Sequence, residues 1–370
     1  MVVKGTAGAT SRMCVCVPAL CWLTSTKNLA ACRFLRVSTS FMTMRGLSRR
    51  LSFPSLRLQQ STGFSSFNFS SSSSSSDYCV NLVKSSDFDN YLTGLLMPKS
   101  SRRAFFALRA FNHEIAQIRD QSKNNFMTGR IRFQFWRDAL QNIFEGGSAG
   151  ELGDQPVIRE LAICIKEHGL THRFFEKCIE SRISDFGGVG YENMNDLEWY
   201  AEASHSSLLY LVLEILGIRG TEHKTAHAAS HVGCSAGLVT LLRGFTYHLS
   251  QGLVYIPESV AQKHNVNINT ITSRRITSFS ENDILSLSAS IFEIASQANG
   301  HLEEARRLLK SNELEKNAIY ALLPAVRSEM YLQTLQEKNF NPLDESFLSP
   351  PQDQLRYQLN LLKATWFKHI

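Results

Sequence analysis

The reading turns on Leu241–Pro257, LLRGFTYHLSQGLVYIP. It opens as the end of an apolar helix, carries one cation at Arg243, and runs into a short extended segment, LVYIP, closed by Pro257. Upstream, TEHKTAHAASHVGCSAGLVTLLRGFTYH (221–248) keeps helical spacing and is nearly apolar on all sides after Val232. A helix without a polar face is buried all round, so this one is expected at the centre of the fold.

The segments around it share its period. SRRAFFALRAFNHEIAQI places Phe105, Leu108, Phe111, Ile115 and Ile118 at steps of three and four, one apolar stripe. Pro98 with Ser100 or Ser101 marks its start. GRIRFQFWRDALQNIFEGG carries Phe133, Trp136, Leu140 and Phe144, and Gly146-Gly147 is its stop. NDLEWYAEASHSSLLYLVLEILG (195–217) reads as one long helix ended by Gly217, and further helices are expected at 156–168, 172–185, 281–310, 313–338 and 352–368. Only LVYIP hints at a strand, and no internal repeat stands out. The expected fold is all-α, a single domain of packed antiparallel helices.

The formal net charge of +6 is unevenly spread. No Asp or Glu precedes Asp77, while nine of the 39 basic residues do. From Asp77 onward 30 basic residues face 33 acidic ones, a net charge of −3, so no nucleic-acid partner is expected of the body. Residues 1–76, rich in Arg and Ser, read as a transit peptide ending in a disordered Ser-rich linker, and 77–370 as the folded domain. Phe41, Met44, Leu47 and Leu51, interleaved with Arg45, Arg49 and Arg50, suit a basic amphipathic helix. Frequent Arg favours the mitochondrion; the Ser content keeps the plastid as a second destination. Cys79, Cys164, Cys178 and Cys234 of the body have no CxxC spacing and read as reduced, partly buried thiols. The strongest apolar run, LLYLVLEILG (208–217), holds Glu214 and falls short of the ~18–20 residues of a membrane span. Any membrane contact is therefore peripheral.

The body resembles the squalene/phytoene synthase family from about Asp77 to the C-terminus. Four blocks carry the likeness: DYCVNLVKSSDFDNYLTGLLMPKSSRRAFFALRAFNHEIAQIRD, GRIRFQFWRDALQNIFEG, YAEASHSSLLYLVLEILG and GLVTLLRGFTYHLSQGLVYIP. The resemblance implies an isoprenoid-synthase-like bundle. It also implies the family's chemistry, head-to-head joining of two prenyl diphosphates. Carboxylates at i and i+4 on facing helices would hold Mg²⁺, and the ions would neutralise the departing diphosphate.

Laid on the first of these motifs, LRAFNHEIA puts Asn112 and Ala116 at the outer places; laid on the second, LLRGFTYH puts Gly244 and His248 there. Arg243 is kept and the four outer acids are not. No catalytic residue or metal ligand is therefore assigned. Arg109, Glu114, Asp120 and Arg243 remain as candidates for a residual polar pocket, with Glu114 and Asp120 solvated or paired with Arg109 and Arg119. Glu114 and Asp120 are six apart and fall on different helix faces, so they do not rebuild a metal pair. His205-Ser206 replace a small-residue pair of the family and point to a narrower or more polar channel. His223, His227, His231 and Cys234 stand in one helical row with zinc-type chemistry. One straight helix cannot wrap a tetrahedral ion, and surface or packing roles are expected of them.

The strings ALRAFN, QFWRD, SSLLYL, LEILGI and HAASH narrow the resemblance to a non-catalytic mitochondrial branch. That branch implies assembly of respiratory complex I by binding its subunits or assembly intermediates, at the matrix side of the inner membrane, with no cofactor. The alternative is an active phytoene- or squalene-forming transferase using Mg²⁺. Between them stands a channel that binds a lipid or isoprenoid without converting it.

Overall fold

The computed structural model describes residues 74–122, 125–147, 155–187, 190–220, 224–273, 279–310, 315, 317–347 and 353–370. They fall within one compact unit, Phe67–Ile370; a second unit, Met1–Ser66, lies outside the described residues, as does nearly all of the expected transit segment. The fold is all-α, and no strand occurs among the described residues.

The body opens with α1 (Ser75–Ser86), α2 (Phe88–Leu96), α3 (Lys99–Ala116) and the single turn α4 (Ile118–Gln121). Next come α5 (Phe126–Phe144), α6 (Pro156–His168) and α7 (His172–Phe186). α8 (Met194–Ala201) and α9 (Ser207–Ile215) are joined by a π-helical turn, Glu202–Ser206. α10 (Lys224–Arg243) is followed by the short α11 (Phe245–Ser250), α12 (Glu258–Lys263) and α13 (Ile268–Ser273). The 30-residue α14 (Glu281–Lys310) precedes α15 (Ile319–Leu322), α16 (Pro324–Glu337) and α17 (Gln354–Phe367).

The ends follow local chemistry. Ser74 and Asp77 form a capping box on α1, and Asn193 and Asp196 form one on α8. α5 stops where expected. Gly146 takes φ 84°, where a side chain would be strained, and the Gly147 N–H reaches back to the Asn142 carbonyl at 2.8 Å.

α10 is central, packed on α14, α16, α8, α9 and the π turn. Its neighbours come close because Ala228, Ala229, Gly233 and Gly237 line the contact. The stripe Phe105, Leu108, Phe111, Ile115 and Ile118 is buried. Phe111 meets Trp136 of α5 at 5.4 Å and Phe175 of α7 at 5.3 Å, both edge to face. These rings clasp three helices together; truncating Phe111 to Ala would cost ~3–5 kcal/mol.

Five expectations need correction. The 195–217 helix is interrupted by the π turn. The 221–248 helix ends at Arg243, because Gly244 (φ −81°, ψ 4°) leaves helical geometry. The helix expected over 313–338 is split before Pro324, whose ring cannot continue a helix from upstream. LVYIP has no regular secondary structure and pairs with no strand among the described residues. The four body thiols are free and fully buried rather than partly so. Burial pushes Cys79 and Cys164 up to about 12 and Cys178 up to about 11, so none is a thiolate at neutral pH.

Candidate functional site

A cavity of about 570 Å³ opens between α2, α3, α7, α10 and α11, with α16 and α17 at one side. Asn112, Ala116 and His248 all line it, so two helices do converge as the motif spacing implies. What they bring is not a metal cage. The Asn112 carbonyl oxygen accepts from Arg182 Nη2 at 2.6 Å, and Ala116 offers no donor. Gly244 does not line the cavity, because the His248 ring lies across it. A Cβ at Gly244 would stand 2.6 Å from His248 Nε2. The ring is held edge-on to Tyr255 at 4.7 Å, and burial keeps its pKa below the usual value.

A side chain at 244 and the His248 ring therefore compete for one space. Gly244→Asp beside His248 is expected to destabilise by ~1–2 kcal/mol. With His248→Ala as well, most of that cost should vanish. A double-mutant cycle by urea denaturation should show coupling of ~1 kcal/mol; additive values would mean the ring is free to move.

The cavity carboxylates are already engaged. Asp87 caps α2 and takes Arg109 Nη2 at 2.5 Å. Burial alone would raise the Asp87 carboxyl, but Arg109 and Asn90 outweigh it and hold it below the usual range. Asp89 joins Arg243 at 3.2 Å and Arg327 at 2.8 Å. Arg327 also reaches Asp353 at 3.0 Å and lies 3.8 Å over the Tyr357 ring. Asp185 takes Arg119 at 2.6 Å and the hydroxyls of Tyr191 and Tyr255, each at 3.0 Å. Asp120 stands beside Tyr247, whose phenol is raised by burial and then by that carboxylate.

Thus Arg109 and Arg119 pair with Asp87 and Asp185, not with Glu114 and Asp120. Glu114, expected at the pocket, is absent from its lining. It lies two residues round the helix from Asn112, on the side facing Tyr78, where burial raises its carboxyl. The residues missed by sequence reasoning are Asp87, Asp89, Arg182, Asp185 and Arg327. One had a local signal: Arg182 sits in the buried stripe Phe175, Ile179, Phe186 of α7, a cation in an apolar position.

Arg182 is 8% exposed and has no carboxylate within ion-pair distance among the described residues; it bonds only the Asn112 amide and the Cys178 carbonyl. Nearby, His205 projects from the π turn and meets Ser204 Oγ at 2.8 Å. Desolvation, then the Arg182 and Arg109 charges, pushes His205 down to about 3, against an ordinary 6.5. The unfolded chain binds this proton below pH 6.5 and the folded one does not until about pH 3. The His205 contribution is present above 6.5 and lost as pH falls through that window. Between pH 7 and 5 the chain should lose about 2 kcal/mol more stability than His205→Gln does, read by denaturation at both pH values.

The histidine row does not assemble. His223 lies outside the described residues, His227 is exposed, and His231 meets His301 at 2.9 Å. Cys234 points instead to Glu202, at 3.2 Å. Among the described residues no three His, Cys, Asp or Glu side chains are placed to hold a metal ion.

A family model for squalene/phytoene synthase matches residues 83–359. The chain belongs to the squalene/phytoene synthase family. Complex I assembly factor 6 of Bos taurus is 38% identical to it over 264 residues, 71% of this chain and 74% of that protein. The Homo sapiens protein of the same name gives the same figures. A solved dehydrosqualene synthase superposes with a TM-score of 0.64 at 18% identity, covering 80% of this chain and 96% of that one. That likeness speaks for the fold alone. Within the squalene/phytoene synthase frame, the four outer positions supply one amide oxygen, already taken, and one buried imidazole. Mg²⁺ demands several oxygens in near-octahedral array. These residues do not fit it.

Proposed function

We propose that this squalene/phytoene synthase family member is non-catalytic and cofactor-free, and serves as an assembly factor for respiratory complex I in mitochondria. The observation that carries the reading is 38% identity, over most of both chains, to relatives named for that role. The donor set at the four outer positions supports it from the chemical side. The work is then binding, to complex I subunits or assembly intermediates, from the matrix side of the inner membrane. The acid-free, Arg-rich stretch before Asp77 suits delivery to that compartment.

Loss of the gene, followed by native-gel analysis of the respiratory complexes, tests it. A selective complex I deficit, restored by the wild-type chain, is expected. Normal complex I with altered carotenoid or sterol intermediates would instead favour the transferase.

The cavity supports a compatible second reading, a lipid or isoprenoid held without conversion. Its volume of about 570 Å³ is in the ordinary range for small-molecule sites. Mass spectrometry of organic extracts of the purified protein should then recover a stoichiometric lipid; an empty extract removes this reading.

A further inference from the structure

α17 carries two apolar faces. Tyr357, Leu361 and Ala364 turn inward against α2, α15 and α16 and are buried. On the opposite side Leu355, Leu359, Leu362 and Trp366 are 75, 58, 50 and 84% exposed. Their spacing of four, three and four places them within an arc of about 60° on a helix of 3.6 residues per turn. Phe367, 76% exposed, extends the patch at the C-terminal end. An unpartnered stripe of large apolar side chains this long marks a docking surface.

Its charge says what docks. From Gln354 to Ile370 there is no acid, and Arg356, Lys363 and Lys368 are exposed cations in a body whose net charge is −3. Arg356 and Lys363, seven apart, stand along one flank of the stripe. The cover is therefore anionic. The chain's own first 76 residues, with nine cations and no acid, would be repelled, and a second copy would bring the same cations to the same edge. Leucines over about two turns, an aromatic pair at one end and cations beside them suit the boundary between acyl chains and anionic headgroups. Fourteen residues make a helix of about 21 Å, too short to cross a bilayer, so it lies on the surface.

We propose that the outer face of α17 docks on an anionic phospholipid bilayer, lying in the plane of the interface. This deepens the inner-membrane setting proposed above and rests on it for which membrane is meant.

The test uses the full chain with two kinds of vesicle: phosphatidylcholine alone, and an equal-mass mixture with phosphatidylglycerol. Both carry brominated acyl chains. The mixed vesicles should quench tryptophan emission, and that quench should disappear in Trp366→Phe. Leu355→Ser, Leu359→Ser and Leu362→Ser combined should lower partitioning about tenfold or more. Arg356→Gln with Lys363→Gln should lower binding to the mixed vesicles only, and added salt should do the same to wild type. The positions are exposed, so unchanged melting shows that the variants fold. Quenching that survives Trp366→Phe, or a triple variant that partitions like wild type, would overturn the proposal and assign any vesicle binding to the basic leader. Failure here with intact complex I rescue leaves the assembly reading standing. A triple variant that keeps vesicle binding but loses rescue assigns the face to an acidic protein partner and also overturns it.

Discussion

Asp185→Ala is expected to lower stability by ~3–5 kcal/mol. The carboxylate is 12% exposed and serves three donors at once: Arg119, 18% exposed, and the hydroxyls of Tyr191 and Tyr255. Burial, then this carboxylate, pushes both phenols up, so they stay protonated donors at any ordinary pH. Removing the acceptor strands a largely buried guanidinium and two hydroxyls, one from the segment between α7 and α8 and one from the segment before Pro257. The loss of one partner costs more than the pair contributes, because the desolvation of the others is already complete. Urea denaturation reads the effect. A loss under ~1 kcal/mol would show that water reaches the site and screens it.

Gly233→Val should be nearly as severe. A Cβ at Gly233 would stand 2.5 Å from Ser206 Cα and 2.7 Å from its backbone nitrogen. These are main-chain atoms of the π turn and cannot swing aside as a side-chain tip can. The variant must push α10 away from α8 and α9 or unwind the π turn, at ~3 kcal/mol or more. Melting should fall by ~6–10 °C. Gly300→Ala is the control. Nothing lies within 4 Å of its Cβ position inside α14, so helix propensity alone acts, and a gain of ~0.5–1 kcal/mol is expected. Equal losses at both positions would mean that close packing at Gly233 is not the cause.

The parts of the fold that were legible in the sequence are those set by local period. The stripe from Phe105 to Ile118 and the helix limits at Glu281 and Lys310 needed only spacing and end signals. So did the central place of α10, whose apolar character has no polar side to expose. The π turn was not legible, because Glu202–Ser206 contains neither Pro nor Gly and its extra residue shows only against Gly233 across the interface. The candidate site divides the same way. Gaps in the metal motif appear from positions 112, 116, 244 and 248 alone. That Gly244 and His248 are coupled needs the ring's rotamer. The partners of the cavity carboxylates, Asp89 with Arg243 and Arg327 above all, join residues far apart in the chain, and no local pattern announces them. Glu114 departs from expectation for a local reason: two residues along a helix is about 200°, which turns it away from the face Asn112 presents to the cavity.

The substitutions act together on one chemical capacity. Asn112 is held by Arg182, Ala116 and Gly244 are bare, His248 is kept neutral, and the remaining acids of the pocket are bound to arginines or lie against tyrosine. Diphosphate departure without a divalent cation leaves its charge to guanidinium groups that are already engaged, Arg109, Arg119, Arg243 and Arg327 by carboxylates and Arg182 by the Asn112 amide and the Cys178 carbonyl. The most direct measurement is release of inorganic diphosphate from farnesyl or geranylgeranyl diphosphate by the purified body, 77–370, with and without Mg²⁺. No release above the protein-free blank is expected at any Mg²⁺ concentration. Saturable, Mg²⁺-dependent release with a joined prenyl product would contradict it.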